Sequence, residues 1–116
     1  MHEDLPRELD GHVFNPERSA VPPGWFPLLV RMHAKMLRVT PDYRLLQVKE
    51  KFGSLRVYVA QEFPPAVLAQ LKRCAGFSVA QAWETCELCG SAGRPRPPEH
   101  WVRCDVCTSS SHTSPT

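Results

Sequence analysis

The stretch YRLLQVKEKFGSLRVYVA, residues 43–60, decides the fold, because it predicts a β-hairpin in the middle of the chain. Its two ends, residues 43–49 and 55–60, are rich in branched and aromatic side chains. The second end alternates apolar residues with an arginine and a tyrosine, which is the period of a half-buried strand. Between the two ends, EKFGS supplies a turn in which Gly53 can adopt a positive φ.

Helical patterns lie on both sides of the predicted hairpin. The stretch WFPLLVRMHAKMLR predicts a helix over residues 25–38, because its apolar residues recur at steps of three and four. A second helix is predicted over residues 65–75, where Gly76 would end it and Ser78 would start a further helical segment running toward Trp83. The order of helix, β-hairpin and helix indicates an α+β domain.

Composition divides the 116 residues into four segments. This length allows one domain, and a domain so small buries only about two-thirds of the surface that its unfolded chain exposes. A metal ion would therefore add noticeably to its stability. The predicted segments are an acidic irregular arm (1–22), the helix–β-hairpin–helix domain (23–83), a zinc-ribbon extension packed on it (84–107) and a disordered tail (108–116).

Four cysteines near the C-terminus have the spacing of metal ligands. Cys86, Cys89, Cys104 and Cys107 form the pattern C-x2-C-x14-C-x2-C. One such pair can bind an ion on a tight turn, and a second pair completes the tetrahedron that Zn²⁺ prefers. Gly90 permits the left-handed backbone that such a turn often adopts after its second cysteine. The sequence therefore predicts one zinc ion; two disulfides or an iron centre with the same ligands are the alternatives.

The predicted zinc site is structural rather than catalytic. Four thiolates close the coordination sphere, whereas a catalytic zinc ion keeps a position open for water or substrate. Trp101 is expected to cover the site as an apolar lid, and His100 and His112 are weaker candidates as ligands. The fifth cysteine, Cys74, falls on the apolar face of the second predicted helix and is expected to be a core residue. No Ser-His-Asp order, phosphate-binding loop or H-E-x-x-H pattern occurs, so no enzyme activity is expected.

The distribution of charge marks the candidate residues for contact with a partner. Residues 1–20 carry a net charge of −3, residues 21–85 a net +5 and residues 86–116 a net zero. A basic middle favours an acidic partner, although basic residues are also common on a solvated face. Arginines beside an aromatic side chain can bind phosphate and stack on a base, but the neutral C-terminal segment weighs against nucleic acid. The candidate contact residues are Lys49, Lys51, Arg56, Arg94, Arg96 and Trp101.

The hairpin also carries a family resemblance. QVKEKFGSLRVYV (47–59), with GWFPLL (24–29), CELCGSAGRP (86–95) and HWVRCDVC (100–107), resembles a group of small uncharacterised proteins common in bacteriophage and prophage genomes. These proteins carry a KEKFG-x-LR-x-Y hairpin motif and a C-terminal pair of cysteine knuckles. The resemblance implies a phage-related accessory protein and brings no activity with it. Within the motif, Phe52 is expected to fold back onto the helices.

These observations favour a non-enzymatic, zinc-stabilised binding protein of phage type, which contacts a host or phage macromolecule, for example to inhibit a host factor. The alternative is a nucleic-acid-binding zinc ribbon that uses Arg94, Arg96 and the hairpin bases. No apolar run approaches the ~18 residues needed to span a bilayer, and the start MHEDLPRELDGH lacks the features of a secretory signal. A cytoplasmic location is therefore expected, in the bacterial host if a phage encodes the chain. The oligomeric state is open, because a hairpin leaves an edge strand.

Overall fold

The computed structural model describes the backbone of residues 4–113 and the side chains of residues 4–109. It has the predicted α+β character, with helix, β-hairpin and helix in that order. Three short 3-10 turns lie before the first helix, at Arg7–Leu9, Pro16–Arg18 and Pro23–Trp25. The helices and strands are α1 (Phe26–Val39), β1 (Leu45–Lys51), β2 (Ser54–Val59), α2 (Pro65–Ala82), β3 (Arg94–Arg96), β4 (Trp101–Arg103) and α3 (Asp105–Thr113).

β1 and β2 form the predicted antiparallel hairpin, and a two-residue turn joins them. Lys51 pairs with Ser54 across the turn, and the turn residues Phe52 and Gly53 have φ angles of 54° and 80°. Two successive positive φ angles are the signature of a type I′ turn, whose twist matches that of the strands. Phe52 is 70% exposed, so the prediction that it folds back onto the helices was wrong. The turn conformation directs its side chain to solvent.

The core lies between the hairpin and the two long helices. Apolar residues of α1 at steps of three and four face inward, as the sequence predicts. Each such side chain contributes about 1.5–3 kcal/mol when it is fully buried. The largest fully buried side chains are those of Trp25, Tyr43, Leu9, Leu29, Met32, Met36, Leu45, Leu55, Leu71, Val21, Val48 and Val102.

α2 is one continuous helix, which corrects the prediction of a helix end at Gly76. The buried residues of α2 are Leu71, Ala75, Ser78 and Ala82, so its inward face continues past the glycine at steps of three and four. This tertiary packing outweighs the local preference of glycine for a helix end. A side chain at Gly76 would meet nothing within 4 Å, so no close contact requires a glycine there.

The N-terminal arm runs along the outer edge of β1. The amide of Asn15 donates to the carbonyl of Leu46, and the amide of Val48 donates to the hydroxyl of Ser19. Leu9 and Val21 of the arm are fully buried in the core. The arm is irregular, as predicted, but it is part of the domain core. The segment predicted as residues 1–22 thus packs against the domain predicted as residues 23–83.

Tyr43 is fully buried between the arm and α1, where it contacts two histidines. Its ring stacks on His12 with 4.2 Å between centroids, and His12 Nδ1 lies 2.8 Å from the Tyr43 carbonyl oxygen. The Tyr43 hydroxyl lies 2.7 Å from His33 Nδ1. Burial raises the pKa of Tyr43, so the hydroxyl stays protonated and donates to a neutral His33. This cluster fixes the arm to α1.

The C-terminal unit consists of a cysteine knuckle, the short antiparallel hairpin of β3 and β4, and α3. This unit matches the predicted zinc ribbon only in part. Its second cysteine pair lies at the start of a helix, whereas a zinc ribbon would place it on a second knuckle between strands. α3 includes residues 108–113, which belong to the segment predicted as a disordered tail (108–116). Residues 114–116 lie outside the described residues.

Candidate metal centre

The structure brings the four predicted ligands together. The sulfur atoms of Cys86, Cys89, Cys104 and Cys107 all lie within 4.8 Å of one another, and those of Cys89 and Cys104 are 3.7 Å apart. Sulfurs at about 2.3 Å from a central zinc ion would be separated by about 3.8 Å along each edge of the tetrahedron. Within the described part of the chain, no other three or more His, Cys, Asp or Glu side chains approach closely enough to hold an ion. The four thiols therefore fit one metal ion.

The first cysteine pair lies on a tight knuckle. The amide of Gly90 donates to the carbonyl of Cys86 at 2.9 Å, which closes the turn around Cys89. Gly90 has a φ of 84°, so the left-handed backbone predicted at this position is confirmed. This conformation directs the sulfurs of Cys86 and Cys89 to the same side.

The second cysteine pair spans the first turn of α3. The amide of Cys107 donates to the sulfur of Cys104 at 3.4 Å, and both the amide and the hydroxyl of Thr108 donate to the Cys104 carbonyl. The N-terminal turn of a helix carries partial positive charge, which stabilises thiolates. A glycine follows the first cysteine pair, whereas Thr108 follows the second. The reason is that the chain continues into α3 after the second pair and does not need a left-handed residue there.

The thiols differ in acidity. Hydrogen bonds from the side chain and backbone of Ser91 lower the pKa of Cys89 to about 6. Burial, together with the neighbouring thiols, raises the pKa of Cys107 to about 12. Burial also opposes ionisation of Cys86, but the backbone N–H groups of Cys89, Cys104 and Leu88 outweigh it and lower its pKa. Without a cation, four sulfurs this close cannot all be thiolates at the same time. A bound metal ion, by contrast, deprotonates the thiols that coordinate it.

The start of α1 is docked directly on the first knuckle. The amide of Gly24 donates to the carbonyl of Glu87 at 2.8 Å, and the indole N–H of Trp25 donates to the carbonyl of Thr85 at 3.0 Å. A Cβ atom at Gly24 would overlap the carbonyl oxygen of Cys86. Only glycine therefore allows the two backbones to approach this closely.

Glu87, inside the first knuckle, is a buried acid that the sequence analysis did not single out. Its side chain is 95% buried, and its Oε2 accepts the amide of Val102 at 3.0 Å. Its own amide donates to the Val102 carbonyl at 2.8 Å, and its Oε1 lies 4.0 Å from the Arg103 guanidinium. Glu87 thus joins the knuckle to β4. A charged residue between two metal ligands was the signal available in the sequence.

The tip of the main hairpin meets the loop between β3 and β4. A Cβ atom at Gly53 would overlap the carbonyl oxygen of His100, so the two backbones are in direct contact. Next to this contact, Trp101 is 41% exposed, and the Arg103 guanidinium lies 3.9 Å from the centre of its ring. Trp101 is therefore not the predicted apolar lid. The adjacent Val102 is the buried residue of β4.

Arg94 and Arg96, two of the predicted contact residues, face the start of α3. The Arg96 guanidinium donates to Asp105 at 2.7 Å, and its Nε donates to the Arg103 carbonyl at 3.1 Å. Arg94 lies 4.0 Å from the same carboxylate of Asp105. Hydrogen bonding by Arg96 lowers the pKa of Asp105. Both arginines are thus placed to hold α3, and with it Cys107, against β3.

The basic side chains of the main hairpin, unlike Arg94 and Arg96, are not held by a carboxylate of the described residues 4–109. Lys49 and Arg56 lie directly opposite each other in the register of β1 and β2, and Lys51 follows two positions later on the same face. None of these three side chains makes a hydrogen bond or ion pair with another residue of the described range 4–109. The predicted contact residues therefore divide into a free hairpin group (Lys49, Lys51, Arg56), the two arginines of β3 engaged by Asp105, and Trp101 of β4, whose ring contacts Arg103.

Comparison of the chain with protein-family models, with curated proteins and with solved structures found no match. No helix within the described residues is long and apolar enough to cross a membrane. Functional inference therefore depends on the geometry of the metal centre and of the hairpin.

Proposed function

We propose that the protein is a non-enzymatic binding protein, that one structural zinc ion holds its fold, and that it contacts another macromolecule through the basic face of its main hairpin. The observation that carries this proposal is the opposed pair of Lys49 and Arg56, which no acidic group within residues 4–109 neutralises. Like charges directly opposite each other destabilise a sheet, and an anionic partner would remove that cost.

The assignment of zinc follows from the donor set. Four thiolates in a closed tetrahedron suit Zn²⁺ and leave no position for a substrate, which supports a structural role. The separation of 3.7 Å between Cys89 and Cys104 is far longer than the roughly 2.05 Å of a disulfide bond, which supports reduced thiols. Iron with the same ligands is distinguished by colour and by metal analysis.

An acidic protein surface is the preferred partner. The resemblance to phage and prophage proteins would place this partner in the bacterial host or in the phage itself, and inhibition of a host factor is one result of such contact. A rigid two-stranded face with three unneutralised cations offers electrostatic complementarity to acidic side chains. The metal centre supports this face indirectly, because the contact between Gly53 and His100 fixes the hairpin tip.

The test uses the double variant Lys49→Gln/Arg56→Gln. If the pair serves binding, its removal should abolish capture of an acidic partner from bacterial extract and should raise the free energy of unfolding by about 0.2–1 kcal/mol. The control, Arg31→Gln/Arg38→Gln, removes the same charge from exposed positions of α1 and should leave capture unchanged. A partner that both variants capture equally, or a loss of stability in the hairpin variant, would contradict the proposal.

Nucleic acid remains the second candidate, because the same cations lie beside the exposed ring of Tyr58. The engagement of Arg94 and Arg96 by Asp105 weighs against the version that uses the loop between the cysteine pairs. Gel-shift titrations over a range of salt concentrations separate the candidates. Tight, salt-sensitive binding of DNA or RNA that is lost in Lys49→Gln/Arg56→Gln would replace the acidic protein with nucleic acid.

A further inference from the structure

The tip of the main hairpin exposes a large apolar side chain. Phe52 is 70% exposed, and no other aromatic side chain of residues 4–109 is as exposed. Its φ of 54° lies in the left-handed region, which glycine and asparagine adopt far more readily than phenylalanine does. Neither burial nor the turn therefore explains a phenylalanine at this position. A residue held in an unfavourable conformation without packing points to a role in contact with another molecule.

Positive charge accompanies this phenylalanine. Lys51 directly precedes it, and the opposed pair of Lys49 and Arg56 lies two residues further along the hairpin. None of these three cations forms an ion pair with an acidic residue of the described range 4–109. The hairpin tip, Lys51 and Phe52, is thus an apolar knob beside a free cation. The surface that complements it is an apolar pocket bordered by carboxylates.

The N-terminal arm carries a pocket of this kind. The pocket has a volume of about 440 Å³, and pockets that bury small ligands begin at about 300 Å³, so one aromatic side chain fits. Leucine, valine and proline side chains form its apolar part, and the charged groups of its described lining are three exposed carboxylates. No basic residue within 4–109 forms an ion pair with these acids. The residues that line this arm pocket are Asp4, Leu5, Leu9, Asp10, Gly11, Val13, Pro16 and Glu17.

The hairpin tip and the arm pocket lie at opposite ends of β1. Val13 of the pocket forms a bridge with Leu45, the first residue of β1, whereas Phe52 follows the last residue of the strand. A strand advances by about 3.3 Å per residue, so roughly 20 Å separate Phe52 from the pocket of its own chain. Phe52 therefore cannot enter that pocket, whereas a second copy of the chain can bring its own pocket to the tip.

We propose that the chain assembles head to tail, with Phe52 of one copy seated in the arm pocket of the next copy and Lys51 facing the carboxylates of that pocket. The contact joins two different surfaces, so it can extend into a chain of copies or close into a ring. Burial of the exposed aromatic ring and the opposite charges of the two surfaces both favour it. This assembly goes beyond the proposed function and does not depend on it.

The first measurement is analytical ultracentrifugation of the zinc-loaded full chain over a wide concentration range. The proposal predicts that the mean mass rises reversibly with concentration above the 13.1 kDa of a single chain. A chain that stays monomeric up to millimolar concentration, including one whose arm pocket binds some other molecule, would overturn the proposal.

Phe52→Asn tests the knob. Asparagine before Gly53 suits a type I′ turn, so the fold should be kept while the assembly weakens at least about tenfold. The control, Phe77→Asn, removes another exposed phenylalanine, which lies on α2, and should leave the assembly unchanged. Assembly of Phe52→Asn that equals assembly of the wild type would show that the knob is not used.

Asp10→Lys/Glu17→Lys tests the pocket. The variant turns two of its carboxylates into cations that repel Lys51, and it should also lose the assembly. Glu62→Lys/Glu84→Lys makes the same change of charge at exposed positions outside the pocket and should assemble as the wild type does. Equal losses in the two double variants would mean that net charge, and not the pocket, controls association.

Mixing the two defective variants tests the head-to-tail arrangement itself. Phe52→Asn keeps an intact pocket and Asp10→Lys/Glu17→Lys keeps an intact tip, so each alone should be monomeric. An equimolar mixture should form a complex of one copy of each that grows no further. Zinc content and circular dichroism are measured for each variant, so that misfolding is recognised. A mixture that stays monomeric under conditions in which the wild type assembles would overturn the proposed contact.

Discussion

Gly53 is the residue at which two requirements coincide. Its φ of 80° suits the type I′ turn, and its missing side chain allows contact with the carbonyl of His100. The sequence predicted the first requirement, because a glycine between two strand patterns indicates a turn. It could not predict the second, because the contact joins segments far apart in the chain and depends on how the C-terminal unit is placed.

Gly53→Ala is therefore expected to lower the free energy of unfolding by about 2–5 kcal/mol. The left-handed backbone costs an alanine about 1–2 kcal/mol, and displacement of the His100 carbonyl adds an overpacking cost. Urea denaturation of the zinc-loaded protein measures the change.

Gly11→Ala is the matched control for this prediction. Gly11 has a φ of 83°, but a side chain there would meet nothing within 4 Å. This variant should lose only the backbone contribution of about 1–2 kcal/mol. Equal losses in the two variants would show that the contact between Gly53 and His100 contributes nothing.

His33 gives the stability a pH dependence. Burial lowers the pKa of His33, and His12 lowers it further, while Glu8 partly opposes the shift. The folded state therefore favours the neutral imidazole, which accepts the Tyr43 hydroxyl. The stabilisation by neutral His33 is fully present at pH values above the pKa of His33 in the unfolded chain, about 6.5. It is lost as the pH falls through the lower pKa of His33 in the folded state.

The expected result is a decline in stability between about pH 7 and pH 5, measured by thermal unfolding. Because acid also protonates metal-bound thiolates, the wild type is compared with His33→Gln, which keeps the metal ligands. The variant should be less stable at pH 7.5 and should show a shallower decline. Parallel curves for the two proteins would contradict a role for His33.

At the scale of elements, α2 shows where a local rule fails. Gly76 followed by Ser78 has the pattern of one helix ending and another beginning, yet the chain forms a single helix over Pro65–Ala82. The deciding information is the buried face of the helix, which contacts α1 and β2. α1 and the hairpin were predicted within one or two residues, because in those elements the local pattern and the buried face agree.

Gly76→Ala is expected to stabilise the protein by about 0.5–1 kcal/mol. Glycine inside a helix has a larger conformational entropy to lose than alanine, and an alanine side chain at this position has room. The reverse change in the same helix, Ala69→Gly, should destabilise by a similar amount. A destabilised Gly76→Ala variant would mean that α2 is interrupted at this position.

At the scale of the whole molecule, the metal centre is joined to the rest of the fold at several places. Gly24 and Trp25 contact the first knuckle, and Gly53 contacts the loop before β4. The sequence predicted the four ligands from their spacing, on an extension packed against the helix–β-hairpin–helix domain, but it did not predict which residues make the contacts. Contacts between distant segments leave no periodic pattern, so their positions could not be predicted.

With these contacts, a metal ion bound by the four cysteines would stabilise the whole domain and not only the C-terminal unit. Structural zinc sites in small peptides have binding free energies of about 10–16 kcal/mol near neutral pH, whereas a domain has a total stability of about 5–15 kcal/mol. Removal of the ion is therefore expected to unfold α1, the main hairpin and α2 together, and not only the C-terminal unit.

The most direct test is metal analysis of the purified, reduced protein, followed by chelation under observation by NMR. The account predicts about one zinc ion per chain and a cooperative loss of dispersed signals from the core, including those of Met36 and Leu71, when the ion is removed. Cys74→Ser, which leaves all four ligands in place, should behave as the wild type does. A protein that binds no zinc, or one whose core signals persist after chelation, would contradict the account.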